Sequence, residues 1–407
     1  MNATVAMIKA VAAEHRLPLA MVEQVLETTD GVPLFVEELT KTVLASGLVE
    51  QIGEKQSRLI HRTRNAQGDM AEIVKIIAVA DHRAGFGFIG AALSETGALK
   101  DTRELSAIGH RVVHGGEEFK KPTRINQKVI DTIRRLSPLA PLHNPSNLLG
   151  IEVARQSAPN VPQVAVFDTA FHQSLPEHAY RYAIPRDLYE THQVRRYGFH
   201  GTSHCYVARQ AAKALGRPLS SLNLITLHLG NGASAAAVKG GKSIDTSMGM
   251  TPLEGLIMGT RCGDIDPAII FYLKRKTGMT RDEMEALLNK NSGLKGICGV
   301  NDMREVEKRA QEGDSAAQLA IEMVCYRIKK YIGAYFAILG RLDALACERD
   351  LLQSAATLAY LAAEHAAREG LAKQLASNAA ESWWREVALL SLRRSRPFCE
   401  AFFREML

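Results

Sequence analysis

Residues 222–247, LNLITLHLGNGASAAAVKGGKSIDTS, are the stretch that best indicates the fold of this chain. An apolar run from Leu222 to Leu229 predicts a buried β-strand, and this run stops at Gly230-Asn231-Gly232. The following residues, ASAAAVKGGKSIDTS, predict a hairpin that turns at Gly240-Gly241. We therefore expect three strands, with a glycine turn after the first.

Two earlier apolar runs also end on polar or glycine residues. The strand predicted within VPQVAVFDTAFH stops at Asp168, and AIGHRVVHGG begins as a strand and ends in a glycine turn. In α/β sheets, ligands bind at the carboxyl ends of the strands. The sequence thus predicts an α/β fold with a ligand site at strand ends.

Helical periodicity dominates the other segments. It predicts three short helices and no strand in residues 1–46, and longer helices at Arg281–Leu288 and Ser315–Leu339. The final 60 or so residues are rich in Ala, Leu, Glu and Arg, which favour helix.

Composition limits the class of protein. The length of 407 residues suits two domains, and a net charge of +6 fits an anionic small substrate. No nucleic-acid-binding module and no apolar run of about 18 residues is present, so we expect neither a nucleic-acid partner nor a membrane span. The six cysteines form no CxxC pair, which indicates reduced thiols in a cytoplasmic protein.

Four features at predicted strand ends suggest an anion site. Arg111 and Arg261 each follow an apolar run among glycines, where a guanidinium often binds carboxylate or phosphate; a surface salt bridge is the alternative. Asp168 could hold Mg²⁺ or align a nucleophile, or it could cap a helix. The turn Gly230-Asn231-Gly232 could present its amides to phosphate, or be a simple hairpin turn.

The segment RRYGFHGTSH, residues 195–204, adds two histidines spaced four residues apart. His200 and His204 could bind zinc, but Gly201 disfavours a rigid helix there and no HExxH glutamate is present. A histidine donor directed at a transferring phosphoryl group fits the arginine-rich setting better. Joining a carboxylate to a phosphate requires charge neutralisation and alignment, and it needs no covalent nucleophile on the protein.

Seven motifs together give a specific resemblance. GHRVVHGGE, APLHNP, VFDTAFHQSLP, RRYGFHGTSH, HLGNGAS, DTSMGMTPLEGLIMGTRCGDIDP and RIKKYIGAY resemble acetate kinases in order and spacing, from about Leu44 to Leu345. The resemblance implies the two-domain sugar kinase–Hsp70–actin-like (ribonuclease H-like) α/β fold. It also implies direct in-line transfer of the γ-phosphoryl group of ATP to acetate with Mg²⁺, giving acetyl phosphate and ADP. The family further implies a homodimer joined through the second domain.

The resemblance also implies a role for individual residues. Arg111 and Arg261 would hold the acetate carboxylate and the phosphoryl group, His200 would stabilise that group during transfer, and Asp168 would serve the metal and the alignment of the reactants. The remaining roles are nucleotide contact by His228, Gly230, Asn231 and Gly232, walls of a methyl pocket by Val113, Leu142, Phe199 and Pro252, and support by His143 and His204.

Both ends of the chain depart from the family pattern. Residues 1–43 lack the family's N-x-G-S-S-S-x-K loop and resemble part of the ATPase-like regions of bacterial adenylate cyclases. Residues 346–407 lack the GGIGEN-type adenosine turn and the late glutamate that binds magnesium. The predicted segments are a helical piece at 1–43, an N-terminal kinase domain at 44–167, a C-terminal domain at 168–345 and a helical tail at 346–407.

Alternatives to acetate phosphorylation stay open at this point. The lost loops favour an inactive remnant whose helical ends are interaction surfaces, whereas the intact set of Arg111, Asp168, His200 and Arg261 favours the kinase. Propionate kinase is a close variant, and a metal hydrolase that uses His200 and His204 is a third hypothesis. Ser315–Leu339 is a candidate contributor to the dimer.

Overall fold

The computed structural model describes residues 45–50, 56–64, 70–99, 101, 105–141 and 143–347. The chain divides into two compact units, of which unit 1 ends at Gln173 and unit 2 begins at Ser174. Each unit is an α/β structure with its own sheets. The predicted domain boundaries, 44–167 and 168–345, stay a prediction.

Unit 1 begins with an antiparallel sheet of three strands in the order β1-β2-β3. The helices and strands in the described part of unit 1 are β1 Ala45–Glu50, β2 Ser57–Arg64, β3 Met70–Ile77, α1 His82–Glu95, β4 Ile108–Val112, β5 Thr123–Arg124, α2 Gln127–Arg135, α3 Asn144–Ser157 and β6 Gln163–Phe167. The helix α1 starts at the N-cap Asp81, whose side chain accepts a hydrogen bond from the Ala84 amide. It packs against β1, β2 and α3.

A second sheet in unit 1 holds the strand ends that the sequence singled out. Its order is β4-β6-β5, with β4 parallel to β6 and β5 antiparallel to β6. The amide of Asp168 extends the pairing by donating to the Val112 carbonyl at 3.0 Å. The carboxyl ends of the parallel strands β4 and β6 therefore lie at the same edge of the sheet, where ligands bind in α/β proteins.

The apolar core of unit 1 lies between this sheet and the helices α2 and α3. Its centre is the stacked pair of Phe119 and Phe167, whose ring centroids are 4.1 Å apart. The amphipathic α2 adds Val129, Ile130 and Ile133, all buried. These side chains recur at positions three and four apart, which is the spacing that puts them on one helical face.

Unit 2 is built on a sheet of four strands in the order β10-β7-β8-β9. Its elements are α4 Glu177–Tyr180, α5 Arg186–His192, α6 Gly201–Ala214, β7 Asn223–Leu229, β8 Ala233–Lys239, β9 Lys242–Thr246, α7 Ala268–Thr277, α8 Arg281–Lys290, α9 Gly293–Cys298, α10 Met303–Gln311, α11 Ser315–Leu339 and β10 Ala344–Cys347. The strands β7, β8 and β9 pair antiparallel, and β10 pairs parallel to β7. The predicted hairpin is confirmed, and its turn residues Gly240 and Gly241 both have positive φ, of 57° and 80°.

Helices pack against the central strands of this sheet. Every residue of β8 except Lys239 is buried, and four of the seven are alanines. Small side chains on a strand allow a helix to approach closely, and the long helix α11 contacts both β8 and β7 while α6 contacts β7 and β10. The helix α11 begins at the N-cap Asp314 and stops at Gly340, where φ is 69°.

Sequence-based expectations about the elements are largely confirmed. The predicted strands at the ends of AIGHRVV, VAVF and LNLITLHL are β4, β6 and β7, and both predicted helices are α8 and α11. The expectation of no strand in residues 1–46 is wrong at its end, because β1 begins at Ala45 and is held by antiparallel pairing with β2. Predictions for residues 1–44 and 348–407, including the helical tail, lie outside the described residues.

No helix in the described part of the chain has the length and apolar character needed to cross a membrane.

The unit 1 core makes a testable contribution to stability. Ile133 is fully buried in the core cluster, so Ile133→Ala should lower the free energy of unfolding by about 2–5 kcal/mol through lost burial and the resulting cavity. Denaturant unfolding followed by circular dichroism measures this loss. Lys128→Ala, at an exposed position of the same helix, is the control and should change stability by less than about 0.5 kcal/mol. Equal effects of the two variants would contradict this packing.

Candidate active site

His200 occupies an unusual backbone position at the start of α6. It is the N-cap of that helix and has φ 56° and ψ 22°, in the left-handed region. Non-glycine residues adopt this region rarely, and such strain clusters at functional sites. Gly198, two residues earlier, also has a positive φ, of 71°, so two left-handed backbone positions lie in YGFHG just before α6.

A chain of hydrogen bonds holds the His200 ring. Its Nδ1 lies 2.8 Å from Ser234 Oγ, and the same hydroxyl lies 2.8 Å from His204 Nε2. His204 Nδ1 in turn lies 2.8 Å from Thr226 Oγ1. Thr226, Ser234 and His204 are each fully buried, so this network is shielded from water and its groups must satisfy one another.

The sheet supplies the partners of these histidines from one face. Thr226 and His228 are two residues apart on β7, and His228 pairs across the strands with Ser234 on β8. Side chains two apart on a strand share a face, and here α6 covers that face with His204 and Ser203. The Ser203 hydroxyl lies 2.9 Å from His228 Nδ1. The His228 ring also packs on His200, with 4.0 Å between ring centroids.

The glycine turn after β7 lies directly beside His200. A Cβ atom on Gly232 would stand 3.3 Å from both Cε1 and Nε2 of His200, and 3.7 Å from an Arg261 guanidinium nitrogen. Glycine at this position thus allows the imidazole and the guanidinium to approach the turn closely. The Asn231 carbonyl accepts from the Gly259 amide at 3.1 Å, and a Cβ on Gly259 would collide with the Asn231 side chain.

Arg261 is a half-buried cation for which the described residues supply no counter-charge. Its Nη1 donates to the Pro252 carbonyl at 3.0 Å and contacts Met258 Sδ at 3.7 Å. Burial lowers the pKa of the Arg261 guanidinium, and in the described part of the chain no carboxylate pairs with it. A guanidinium in this state remains charged at neutral pH, so it favours an anionic ligand that replaces the lost hydration.

In unit 1, Arg111 and Asp168 form an ion pair with two-point geometry. Arg111 Nη2 lies 2.7 Å from Asp168 Oδ2, and Arg111 Nε lies 2.9 Å from Oδ1. The Asp168 side chain is 3% exposed, whereas that of Arg111 is 65% exposed. The alternative role of Asp168 as a helix N-cap has no support among its hydrogen bonds. The buried Asp168 carboxylate therefore fixes the orientation of the guanidinium of an arginine whose side chain is mostly exposed.

Side chains at the start of α3 fix the loop after β4. Asn147 Oδ1 accepts from the Val113 amide at 3.1 Å, and Asn144 Oδ1 accepts from the His114 amide at 3.0 Å. The Asn144 side chain also donates to the His114 carbonyl, so the Asn144 amide group clamps the backbone of His114 with two hydrogen bonds. His143 is the N-cap of α3 and lies next to this clamp. Leu142 lies outside the described residues.

The structure assembles the sequence-predicted residues in two sets. The set in unit 2 contains Phe199, His200, His204, His228, Gly230, Asn231, Gly232, Pro252 and Arg261. In this set Phe199 is buried, and the Pro252 carbonyl accepts a hydrogen bond from Arg261. The set in unit 1 contains Arg111, Val113, His143 and Asp168. His204, for which the sequence predicts a supporting role, shares the Ser234 hydroxyl with His200.

Sequence reasoning missed the residues that orient these sets. They are Ser203, Thr226 and Ser234 in unit 2, and Asn144 and Asn147 in unit 1. The period of two along β7 would have placed Thr226 and His228 on one face. Ser234 could not be found in this way, because its position opposite His228 depends on the register of β7 with β8.

The described residues offer no ready metal site. No group of three or more His, Cys, Asp or Glu side chains is arranged to hold a metal ion within them. Both ring nitrogens of His204 are in hydrogen bonds with hydroxyl groups, so the zinc hypothesis for His200 and His204 gains no support. Asp168 is a single carboxylate already bonded to Arg111 and does not form a magnesium site by itself.

Each residue set of this two-unit α/β chain contains an arginine, the side chain best suited to bind carboxylate and phosphate groups. The family model described as "Acetokinase family" matches residues 31–397, which extends beyond the quoted motifs at both ends. The acetate kinase of Syntrophobacter fumaroxidans is 57% identical over 305 residues, covering 75% of this chain and 74% of the relative. That of Streptomyces griseus is 53% identical over 339 residues, covering 83% of this chain and 82% of the relative. The chain belongs to the acetokinase family.

Solved structures agree with this assignment. The acetate kinase of Porphyromonas gingivalis superposes with a TM-score of 0.69 at 45% identity, covering 74% of this chain and 75% of that one. A propionate kinase from Francisella tularensis gives 0.70 at 47% identity, covering 74% and 76%. The predicted family and the actin-like α/β fold are thereby confirmed.

Close packing at Gly232 gives a direct test of the set in unit 2. Gly232→Ala should displace the His200 imidazole by a few tenths of an ångström and reduce kcat for phosphoryl transfer by about tenfold, without unfolding the chain. Steady-state kinetics and thermal melting measure the two effects. Gly87→Ala, where a Cβ meets nothing within 4 Å, is the control. Full activity in Gly232→Ala would show that the imidazole position does not matter.

Proposed function

We propose that this chain transfers the γ-phosphoryl group of ATP directly to acetate. A carboxylate oxygen of acetate attacks the γ-phosphorus, and the bond from that phosphorus to the β,γ-bridging oxygen breaks, so that ADP leaves with the electron pair. No protein nucleophile is needed, since alignment and charge neutralisation supply the catalysis. The observation that carries the proposal is the half-buried guanidinium of Arg261, which lies beside His200 and the Gly232 turn and pairs with no carboxylate among the described residues.

The set in unit 2 serves the phosphoryl group in this proposal. Arg261 neutralises its charge, and His200 donates a hydrogen bond to an oxygen of the phosphoryl group as charge develops there. Asn231, with the glycines on each side of it, contacts nucleotide phosphate through the turn. Phe199 and Pro252 bound the methyl group of the substrate, and His228 supports His200 through the observed ring contact.

The set in unit 1 serves the acceptor carboxylate. Arg111 binds the acetate carboxylate or an oxygen of the phosphoryl group, and Asp168 aligns the reactants by fixing the direction of the Arg111 guanidinium. Val113 and Leu142 are proposed walls of the methyl pocket, and His143 supports them. The Asn147 bond to the Val113 amide favours this role because it holds the Val113 backbone in place.

Magnesium enters this proposal as part of the substrate. The ion binds well to ATP phosphates with several of its waters retained, and one or two carboxylates complete such sites in proteins. The single buried carboxylate Asp168 does not replace that coordination. We therefore propose Mg²⁺-ATP as the nucleotide substrate, with no resident metal in the described residues.

Acetate and propionate are both candidate acceptors, because curated relatives are acetate kinases and one structural neighbour is a propionate kinase. An extra methylene changes discrimination in an apolar pocket by only about 1–3 kcal/mol. We propose a cytoplasmic location from the cysteine pattern, since none of the six cysteines of the sequence lies in a CxxC pair.

Acetyl phosphate formation tests the proposed reaction. The purified chain should convert Mg²⁺-ATP and acetate to a product that hydroxylamine traps as the hydroxamate, and Arg261→Ala should reduce kcat/KM by at least about 100-fold, because the phosphoryl group loses its buried cation. Arg281→Ala removes an arginine with a 90% exposed side chain and should keep activity within about twofold. A folded chain without turnover would favour the inactive-remnant alternative.

We also propose that the chain forms a homodimer through unit 2. The helix α7 has no buried residue, although it carries Ile269, Ile270, Phe271 and Tyr272. The helix α11 exposes Leu319, Met323, Tyr326, Phe336 and Ile338, which adds to the apolar surface of the unit. Apolar surface on this scale in a single chain is typical of subunit interfaces, and a second copy of the chain is its proposed occupant.

A charge placed in this surface should dissociate the dimer. The wild-type chain should have the mass of a dimer by size-exclusion chromatography with light scattering, and Phe271→Glu should shift it to the mass of a monomer, since the 63% exposed Phe271 would then bury a carboxylate at the interface. Ile184→Glu, at an exposed apolar position outside both helices, should stay dimeric. A monomeric wild-type chain would refute the proposal.

A further inference from the structure

The hydrogen bonds around Ser234 constrain where the protons of two histidines lie. Ser234 Oγ has one hydrogen to donate and stands 2.8 Å from both His200 Nδ1 and His204 Nε2. It can donate to only one of these nitrogens. At least one imidazole must therefore donate its own N–H to Ser234, and the two tautomers are coupled.

The Thr226 hydroxyl determines which group donates in each of these hydrogen bonds. Its side chain is fully buried, and His204 Nδ1 is the only hydrogen-bond partner of its hydroxyl among the described residues. A buried hydroxyl hydrogen needs an acceptor, so the Thr226 hydroxyl donates to His204 Nδ1. Because burial away from water favours the neutral imidazole, the single proton of His204 then lies on Nε2.

The remaining protons follow from that assignment. His204 Nε2–H donates to Ser234 Oγ, which leaves the Ser234 hydroxyl hydrogen free to donate to His200 Nδ1. With Nδ1 as the acceptor, neutral His200 carries its proton on Nε2. That nitrogen is the atom beside the glycine turn, where a Cβ of Gly232 would approach it to 3.3 Å.

We propose that Thr226, His204 and Ser234 are positioning residues that hold His200 in its Nε2–H tautomer. The His200 ring is thereby fixed as a donor facing the turn and Arg261 before substrate arrives. Pre-set donors of this kind need no reorganisation when charge develops on the reacting group. The proposal rests on the role of His200 in the proposed function, but the tautomer itself is a property of the free protein.

Nitrogen NMR tests the tautomer without any assay of activity. The full chain, labelled with ¹⁵N-histidine, should show His200 with a protonated Nε2 and an unprotonated Nδ1, and His204 with the same pattern. Loss of a signal in His200→Asn assigns His200 among the 13 histidines. A protonated Nδ1 on neutral His200 in the wild-type chain would overturn the proposal.

Ser234→Ala tests whether these hydrogen bonds are what holds His200 in its Nε2–H tautomer. Removal of the donor to His200 Nδ1 should release the tautomer, so that both forms appear in the spectrum, and kcat should fall by about tenfold or more with KM for acetate nearly unchanged. An unchanged tautomer in Ser234→Ala would overturn the proposal. Ser247→Ala deletes an equally buried hydroxyl that accepts from the Ala235 amide, and it should leave the His200 spectrum unchanged.

Variants of His204 separate positioning from simple support of the fold. His204→Gln keeps an N–H donor near Ser234 and should retain most of the Nε2–H form, whereas His204→Leu should lose it. If His204→Leu does not fold, the wild-type spectrum and Ser234→Ala still decide the question. A wild-type chain that shows the expected tautomer but makes no acetyl phosphate would sink the proposed function alone.

Discussion

The antiparallel register of β7 with β8 is the constraint on which the candidate site of unit 2 depends. It places His228 opposite Ser234 and keeps Thr226 on the same face, two residues away. The helix α6 covers that face, so His204 reaches both hydroxyl groups and His200 reaches Ser234. A slip of one residue would turn these side chains to the opposite face of the sheet. The orientation of His200 is thus a consequence of strand pairing and helix packing together.

Unit 1 uses a parallel strand pair for the corresponding purpose. The pairing of β4 with β6 brings Arg111 and Asp168 to the same sheet edge, and the Asp168 amide continues that pairing. A buried carboxylate is costly unless it is paired, and the two-point bond from Arg111 satisfies both of its oxygens. Because the Arg111 side chain is mostly exposed, the pair adds little to stability. Its two-point geometry fits the proposed role of Arg111, in which the guanidinium binds an anion.

Features encoded within a few residues could be predicted from the sequence, and features that need distant partners could not. The hairpin at Gly240-Gly241 was predictable because both positions need positive φ, and α11 because its apolar period is long. The strand β1 was missed since ASGLVE is held by pairing with β2. Ser234 has no local signal that separates it from other strand serines. The motifs predict the candidate histidines and arginines, whereas the strand register and the packing of α6 identify the residues that hold the histidines.

The strained backbone of His200 fits a reaction that uses no protein nucleophile. A left-handed non-glycine residue costs of order 1–3 kcal/mol, so the surrounding structure must favour it. Here the His200 carbonyl accepts the first bond of α6 from the His204 amide at 3.0 Å, while the side chain is fixed by Ser234 and packed on His228. A covalent catalyst requires a reactive atom, whereas an electrostatic one requires donors whose positions are fixed beforehand. In the proposed reaction, the strain at His200 and the desolvation of Arg261 are both costs of that prior arrangement, and folding of unit 2 meets them before any substrate binds.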